Sequence, residues 1–184
     1  IHGTGVKLIP MALRAFGFTN LTNVPEQDVV SGDFPTVISP NPEEPAAMEM
    51  AIRKAGEIGA DVVMASDPDA DRIGVAVKND KGEYIIVNGN QTALLFIYYL
   101  ITKMKENGSM TGNEFVVKTI VTTEMIAEIA RRNQVEYFDV YTGFKYIAEV
   151  IRENEGTKKY IGGGEESFGF MPADFVRDKD AVTS

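Results

Sequence analysis

The chain has 184 residues, one ordinary domain or two small ones, and its 44 % hydrophobic content suits a folded core rather than a disordered segment. A formal net charge of −9 argues against nucleic acid as a partner, since phosphate backbones need basic patches, and the absence of cysteine excludes disulfides and thiolate metal sites. The longest apolar run, Ala93 to Ile101, falls short of the roughly 20 residues that span a bilayer, and no secretory signal opens the chain, so a soluble cytoplasmic protein with no membrane partner is expected.

Strand-like and helix-like segments alternate, which predicts an α/β protein with mainly parallel pairing. Lys7 to Phe16 reads as a helix ended by Gly17. Thr36 to Ser39 is a short β-branched segment broken by Pro40, Asn41 and Pro42. Glu43 and Glu44 then open a helix that runs to Ile58 and stops at Gly59, with acidic residues suiting its dipole. Asp61 to Ser66 reads as a buried strand, Ile73 to Val77 as another, and Asn79 to Gly82 turns into Tyr84 to Val87. Gln91 to Lys105 is a largely buried helix, followed by a strand over Phe115 to Val121. Thr123 can cap a helix that puts Met125, Ile126, Ile129 and Ala130 on one face. Val135 to Tyr141 is a strand, and Phe144, Ile147, Ala148 and Ile151 share a further helix face. Tyr160 and Ile161 lead into a glycine-rich turn, Gly162 to Gly164. The rhythm restarts near Tyr84, which predicts two small domains, 1–84 and 85–184, each with a mixed, mainly parallel sheet flanked by helices. Ile1-His2-Gly3 carries no initiator Met, and Asp180 to Ser184 reads as the opening of a helix with none after it. The chain is therefore expected to be part of a longer protein, with its second domain C-terminally incomplete.

The strongest chemical signal is Asp67-Pro68-Asp69-Ala70-Asp71-Arg72. Three alternating carboxylates directly after a buried strand repel one another unless a cation or proton intervenes. Hard divalent ions such as Mg²⁺ prefer carboxylate oxygens, and no His or Cys stands nearby to suggest zinc. An EF-hand needs Gly at loop position six and Glu at twelve, where this chain has Arg72 and Lys78. A haloacid-dehalogenase-type phosphatase pattern has Thr or Val where Asp71 stands. The structural alternative is a solvated acidic turn. This loop resembles the metal loop of the α-D-phosphohexomutases, the phosphoglucomutase and phosphomannomutase superfamily, in a variant similar to that of the branch containing bacterial α-phosphoglucomutases and phosphopentomutase-like relatives. The resemblance implies Asp67, Asp69 and Asp71 as Mg²⁺ ligands, Asp71 beside the phosphorylated substrate, and Arg72 meeting the phosphorylated substrate or the phosphoserine, with a catalytic part.

Gly164-Glu165-Glu166-Ser167-Phe168-Gly169 is a glycine-flanked turn with acceptors and a hydroxyl, suited to vicinal sugar hydroxyls; it lacks the Lys-Ser/Thr ending of a P-loop. It matches the same family's sugar-binding loop, which implies that Glu165 and Ser167 bind the hydroxyls at C3 and C4. Thr142-Gly143-Phe144-Lys145 resembles a segment that touches the sugar, and also reads as a helix cap. Arg177-Asp178-Lys179-Asp180 resembles the segment whose Lys lies beside the transferring phosphoryl group, which makes Lys179 a candidate for charge neutralisation or proton movement; by itself the run would be a charged surface turn. His2-Gly3-Thr4-Gly5 resembles the start of the family's second domain, and the sole histidine, His2, is assigned no catalytic role.

The family's nucleophilic serine sits in a Thr-Ala-Ser-His-Asn-Pro loop, which is absent here. Ser39-Pro40-Asn41-Pro42 lacks the His and reads as structural. An Arg-Ser-Gly-Thr-type phosphate grip is also absent. The resemblance thus covers the middle two of four domains, and implies a longer enzyme that supplies the first and last. That enzyme would interconvert hexose 1-phosphate and hexose 6-phosphate, with glucose favoured, through phosphoserine and glucose 1,6-bisphosphate. The alternatives are a phosphopentomutase or bisphosphate synthase of the same fold, or a metal-binding module without catalysis.

Overall fold

In the computed structural model, which describes all 184 residues, the chain divides into the units Ile1–Asn88 and Gly89–Ser184. The first holds helices α1 (Gly5–Ala15) and α2 (Pro45–Ile58) and strands β1 (Val62–Ser66), β2 (Ile73–Lys78) and β3 (Tyr84–Val87). Helix α2 starts later than Glu43, because Glu44 is pushed to an extended conformation by the ring of Pro45, which takes the first helical position. Gly59 ends the helix in the left-handed region at φ 71°, as its position in the sequence predicts.

The first sheet has the order β1-β2-β3 and both pairings are antiparallel. Mainly parallel pairing was the expectation here, and connection length explains the difference. Only Asp67 to Arg72 separate β1 from β2, and only Asn79 to Glu83 separate β2 from β3, whereas a parallel crossover takes about a dozen residues or more. Tyr84–Val87 completes this sheet, so a boundary after Tyr84 would cut its last strand. Met48 and Ala55 of α2 pack on Val63 and Ala76. His2 is a tether: its ring nitrogens hydrogen-bond the Val29 carbonyl at 2.8 Å and the Thr36 hydroxyl at 2.7 Å, and Thr36 to Ser39 forms no strand.

The second unit runs α3 (Gly89–Glu106), β4 (Glu114–Thr119), α4 (Met125–Arg132), β5 (Glu136–Val140), α5 (Phe144–Glu153), β6 (Lys159–Gly164) and β7 (Phe170–Met171). Its sheet order is β5-β4-β6-β7, parallel except for the β6–β7 pair. Helices cover both faces: Ile97, Ile101, Ile126 and Ala130 of α3 and α4 pack on Val116 and Ile161, while Phe144, Ile147 and Ile151 of α5 pack on Phe115 and Val117. All six residues of β4 are buried, as befits a central parallel strand. Gly162 to Gly164 lie inside β6 rather than in a turn. Their neighbours explain the composition: a Cβ on Gly163 would stand 2.6 Å from the Val117 carbonyl, and one on Gly164 2.8 Å from the Phe170 ring. Strand β4 ends at Thr119, where the Thr122 amide bonds back to the Thr119 carbonyl, and Ile120 and Val121 are left exposed.

Candidate functional site

In the first unit the six residues Asp67–Arg72 connect antiparallel β1 and β2, so their carboxylates are gathered by one tight turn. The Ala70 amide bonds the Asp67 carbonyl at 3.1 Å, and Ala70 takes a left-handed φ of 58°. Asp67 is buried, with one carboxylate oxygen accepting the amides of Asp71 (3.1 Å) and Arg72 (3.0 Å) and the other accepting Arg72 Nε at 2.7 Å. The loop's back is held by the opening segment: the Thr4 amide and hydroxyl both donate to the Pro68 carbonyl, and Gly3 passes so close to Pro68 that a Cβ there would overlap it. Gly3 therefore serves the close approach of two backbones.

One oxygen from each of Asp67, Asp69 and Asp71 can be chosen so that all lie within 4.8 Å of one another. Three carboxylate oxygens at that spacing, with no nitrogen or sulfur donor among them, suit a hard divalent cation. Arg72 sits among the carboxylates, 2.7 Å from Asp67, 3.8 Å from Asp71 and 3.6 Å from Glu43. Glu43, read from sequence only as a helix-opening charge, is thus part of the loop's electrostatic surroundings; its contact with Arg72 spans 29 positions and has no local signature.

In the second unit the loop Gly164–Gly169 leaves the carboxyl end of β6 and is closed by the Glu165 amide bonding the Gly169 carbonyl at 3.0 Å. Phe168 takes φ 65° to make the turn. Glu165 Oε1 accepts the Gly143 amide at 2.6 Å, and the Ser167 hydroxyl reaches Glu165 Oε2 at 3.4 Å. Gly143, at φ 124°, occupies a conformation L side chains rarely adopt, and exposed Thr142 precedes it. The structure therefore brings together Glu165, Ser167 and Gly143, which the sequence separates by about twenty residues. Burial, helped by the neighbouring Glu166 charge, raises the Glu165 carboxyl above its ordinary value; the bonds from Gly143 and Ser167 only partly offset this.

Lys179 lies at the end of the same loop. A Cβ on Gly169 would meet Lys179 Cδ at 3.0 Å and the Phe144 ring at 2.7 Å, so the lysine stem runs over Gly169. The Asp180 amide bonds the Phe170 carbonyl at 3.4 Å, which docks the Arg177–Asp180 segment beside β7. Asp180 also accepts the amides of Val182 and Thr183, a helix-opening arrangement of the kind its sequence predicts. Ser39, outside these clusters, donates its hydroxyl to Glu44 at 2.8 Å.

Sequence reasoning missed the polar layer beneath the second loop. Glu166 Oε2 lies 3.3 Å from the Thr119 hydroxyl and 3.2 Å from that of Thr122, and the two hydroxyls are 2.7 Å apart. Lys118, its side chain fully buried, pairs with Asp139 at 2.6 Å and Glu124 at 2.7 Å. Burial pulls the Lys118 ammonium down, but its hydrogen bonds to the Asp139 and Glu124 carboxylates outweigh it and leave the group above its ordinary value.

Residues 1–82 match the family model described as phosphoglucomutase/phosphomannomutase, alpha/beta/alpha domain II, and residues 88–184 match that of domain III. A phosphoglucomutase of Staphylococcus aureus strain MRSA252 is 38 % identical over 182 residues, covering 99 % of this chain and 32 % of the relative. The chain thus spans about a third of the length of the curated relatives it matches. A phosphoglucomutase/phosphomannomutase family protein from Burkholderia thailandensis shares the fold, with a TM-score of 0.73 at 21 % identity over 98 % of this chain and 36 % of that one. So does the exocytosis-sensitive phosphoprotein parafusin, a phosphoglucomutase from Paramecium in its open form, with a TM-score of 0.61 at 21 % identity over 94 % of this chain and 29 % of that one.

Proposed function

The chain belongs to the phosphoglucomutase/phosphomannomutase family, and from that membership we propose that it supplies the magnesium loop and the sugar loop of an enzyme interconverting hexose 1-phosphate and hexose 6-phosphate, glucose favoured. The observation that carries the reading is the convergence of Asp67, Asp69 and Asp71 on one turn inside the family-matched region. The donor set fits Mg²⁺, which when bound offsets negative charge on a phosphoryl group in transfer.

The chain's own residues have separable tasks in this proposal. Asp67, Asp69 and Asp71 hold the ion, and Arg72, fixed to Asp67, presents its guanidinium to a phosphate oxygen. Glu165 and Ser167 accept and donate hydrogen bonds to vicinal sugar hydroxyls, with Gly143 fixing the Glu165 carboxylate and Thr142 flanking it. Lys179, beside Gly169, neutralises developing charge on the phosphoryl oxygens. A phosphoserine from outside this chain gives its phosphoryl group to a sugar hydroxyl, forming glucose 1,6-bisphosphate. After the sugar turns round, the other phosphoryl returns to the serine. One hydroxyl-binding loop serves both orientations because the two present the same equatorial hydroxyl pattern. The test is a coupled assay on the full-length protein carrying this chain, with glucose 1-phosphate against ribose 1-phosphate. Turnover that favours glucose 1-phosphate is expected; none with it, or a preference for ribose 1-phosphate, overturns the proposal.

A further inference from the structure

We propose that Glu166 is a positioning residue that sets the orientation of the sugar loop through Thr119 and Thr122; the inference rests on the reading of that loop given above. Glu165 and Glu166 are consecutive, yet they are held by different turns. Glu165 is bonded by the Gly143 amide at the β5–α5 turn, whereas Glu166 is bonded by hydroxyls of the β4–α4 turn. Two carboxylates anchored on two separate turns fix the direction of the backbone between them, and with it the position of Ser167.

The anchor for Glu166 is built to stay in place. Thr119 and Thr122 are both buried, at 0 % and 3 % exposure. Both hydroxyls lie within donating distance of the same Glu166 oxygen, at 3.3 and 3.2 Å, and 2.7 Å from each other, so the carboxylate and the two hydroxyls form one closed triangle. The turn that carries them is fixed from below and from the side. Lys118 Nζ donates to the carbonyls of Thr119 (3.4 Å) and Thr122 (3.3 Å), and Asn90 Oδ1 accepts the Thr123 amide at 2.8 Å. On the remaining side Gly89 touches the loop backbone itself: a Cβ there would overlap the Glu166 carbonyl and stand 2.8 Å from the Phe168 amide nitrogen. Glu166 thus ties the loop to the sheet, and a side chain unable to accept a hydroxyl proton would release it on that side only.

The consequence is specific. Releasing Glu166 lets the loop rotate, weakens the Gly143–Glu165 bond and spoils the placement of Glu165 and Ser167, while the sheet beneath is untouched. The first experiment uses this chain as it is, following backbone amide exchange by ¹⁵N NMR in Glu166→Ala and Glu166→Gln. Gly143 and Glu165 amides should exchange about tenfold faster in Glu166→Ala. They should return to wild-type protection in Glu166→Gln, whose amide oxygen still accepts a hydroxyl proton. Core amides of Val116 and Val117 should stay as they are. Unchanged protection at Gly143, or a loss that spreads to Val116 and Val117, overturns the inference.

The second experiment measures kinetics in the full-length protein. Glu166→Ala should raise KM for glucose 1-phosphate several-fold with kcat within about twofold, and Glu166→Gln should restore KM. Glu165→Ala run beside it separates the two claims. If Glu165→Ala raises KM and Glu166→Ala does not, this inference fails and the sugar-loop reading stands. If Glu165→Ala leaves KM unaltered, both fall.

Discussion

Asp67 and Asp69 belong to one cluster but should fail differently when altered. Asp69 is exposed, so Asp69→Asn removes a charge from the ion site and little else, and divalent-ion affinity should fall by about tenfold or more with Tm unchanged. Asp67 is buried and accepts three hydrogen bonds, so Asp67→Asn should lower both affinity and Tm. Titration with Mn²⁺ followed by electron paramagnetic resonance, with thermal melts, distinguishes them; equal affinity in wild type and Asp69→Asn would remove the metal assignment. Glu114 is a carboxylate with a purely structural part. Buried as the first residue of β4, it accepts the Thr111 amide (2.6 Å) and hydroxyl (2.8 Å) and the amides of Gly112 (3.0 Å) and Asn113 (3.1 Å). Burial raises its pKa, but the bonds from Thr111 and Gly112 outweigh that and hold it below the usual 4.5. A carboxyl depressed in the folded state stabilises fully above its unfolded pKa and loses that contribution as pH falls through the folded one. Wild type should therefore lose stability below about pH 4.5, and Glu114→Gln should lack that part of the decline while being about 1–3 kcal/mol less stable at neutral pH. Denaturant melts across pH 3 to 7 would show it; parallel pH profiles for the two proteins would contradict it. Glu165 and Lys179 differ in the same spirit. In the full-length protein Glu165→Ala should act at least partly on KM, because the bonds to sugar proposed for it would persist from ground to transition state. Lys179→Ala should act mainly on kcat, by on the order of a hundredfold. Wild-type kcat and KM in Lys179→Ala would return Arg177 to Asp180 to an ordinary charged turn.

At the scale of elements, local interactions were legible and register-dependent ones were not. The end of α2 at Gly59 and the three converging aspartates lie within single turns, so spacing alone exposes them. The antiparallel first sheet is equally legible in its short connections: alternation of helices and strands suggests parallel pairing, but connections of five and six residues permit only antiparallel neighbours. Gly162 to Gly164 misled for the opposite reason: turn chemistry and crowding both favour glycine, and only the β4–β6 register reveals which operates. The bonds joining Glu166 to Thr119 and Thr122 cross 47 and 44 positions and depend on that same register. Glycine substitutions test the distinction. At Gly163 an added methyl meets the Val117 carbonyl at 2.6 Å and the Tyr160 hydroxyl at 2.7 Å, so Gly163→Ala should cost about 2 kcal/mol and lower Tm by on the order of 10 °C. Gly56 sits within α2 with nothing near its missing Cβ, and Gly56→Ala should stabilise by about 0.5–1 kcal/mol. Melts of opposite sign are the expected pair; a neutral Gly163→Ala would mean that β4 and β6 can move apart to admit a methyl group.

For the whole molecule, the decisive question is what these two loops can do without the rest of a phosphohexomutase. The chain spans 32 % of the length of its Staphylococcus aureus relative, and contains no Thr-Ala-Ser-His-Asn-Pro run to supply a nucleophile. The electrostatic stabilisation proposed for Asp67, Asp69, Asp71 and Lys179 would have no phosphoryl group to act on unless a nucleophile presented one in line. The isolated chain should therefore show background turnover with glucose 1-phosphate, Mg²⁺ and catalytic glucose 1,6-bisphosphate in a coupled assay. It should still bind a divalent ion, weakly, because three carboxylate oxygens alone leave most of a hard cation's coordination to water. The one hydroxyl whose surroundings imitate a nucleophile loop is Ser39, in Ser39-Pro40-Asn41-Pro42. Its proton is directed at Glu44, 2.8 Å away, in a contact that ties the segment to the start of α2. A carboxylate at that distance is placed to act as a base toward the hydroxyl. Ser39→Ala decides the point: turnover by the isolated chain that vanishes in this variant would make Ser39 the nucleophile and this chain a complete catalyst, whereas background rates in both, with divalent-ion binding intact, place the phosphoryl donor outside it.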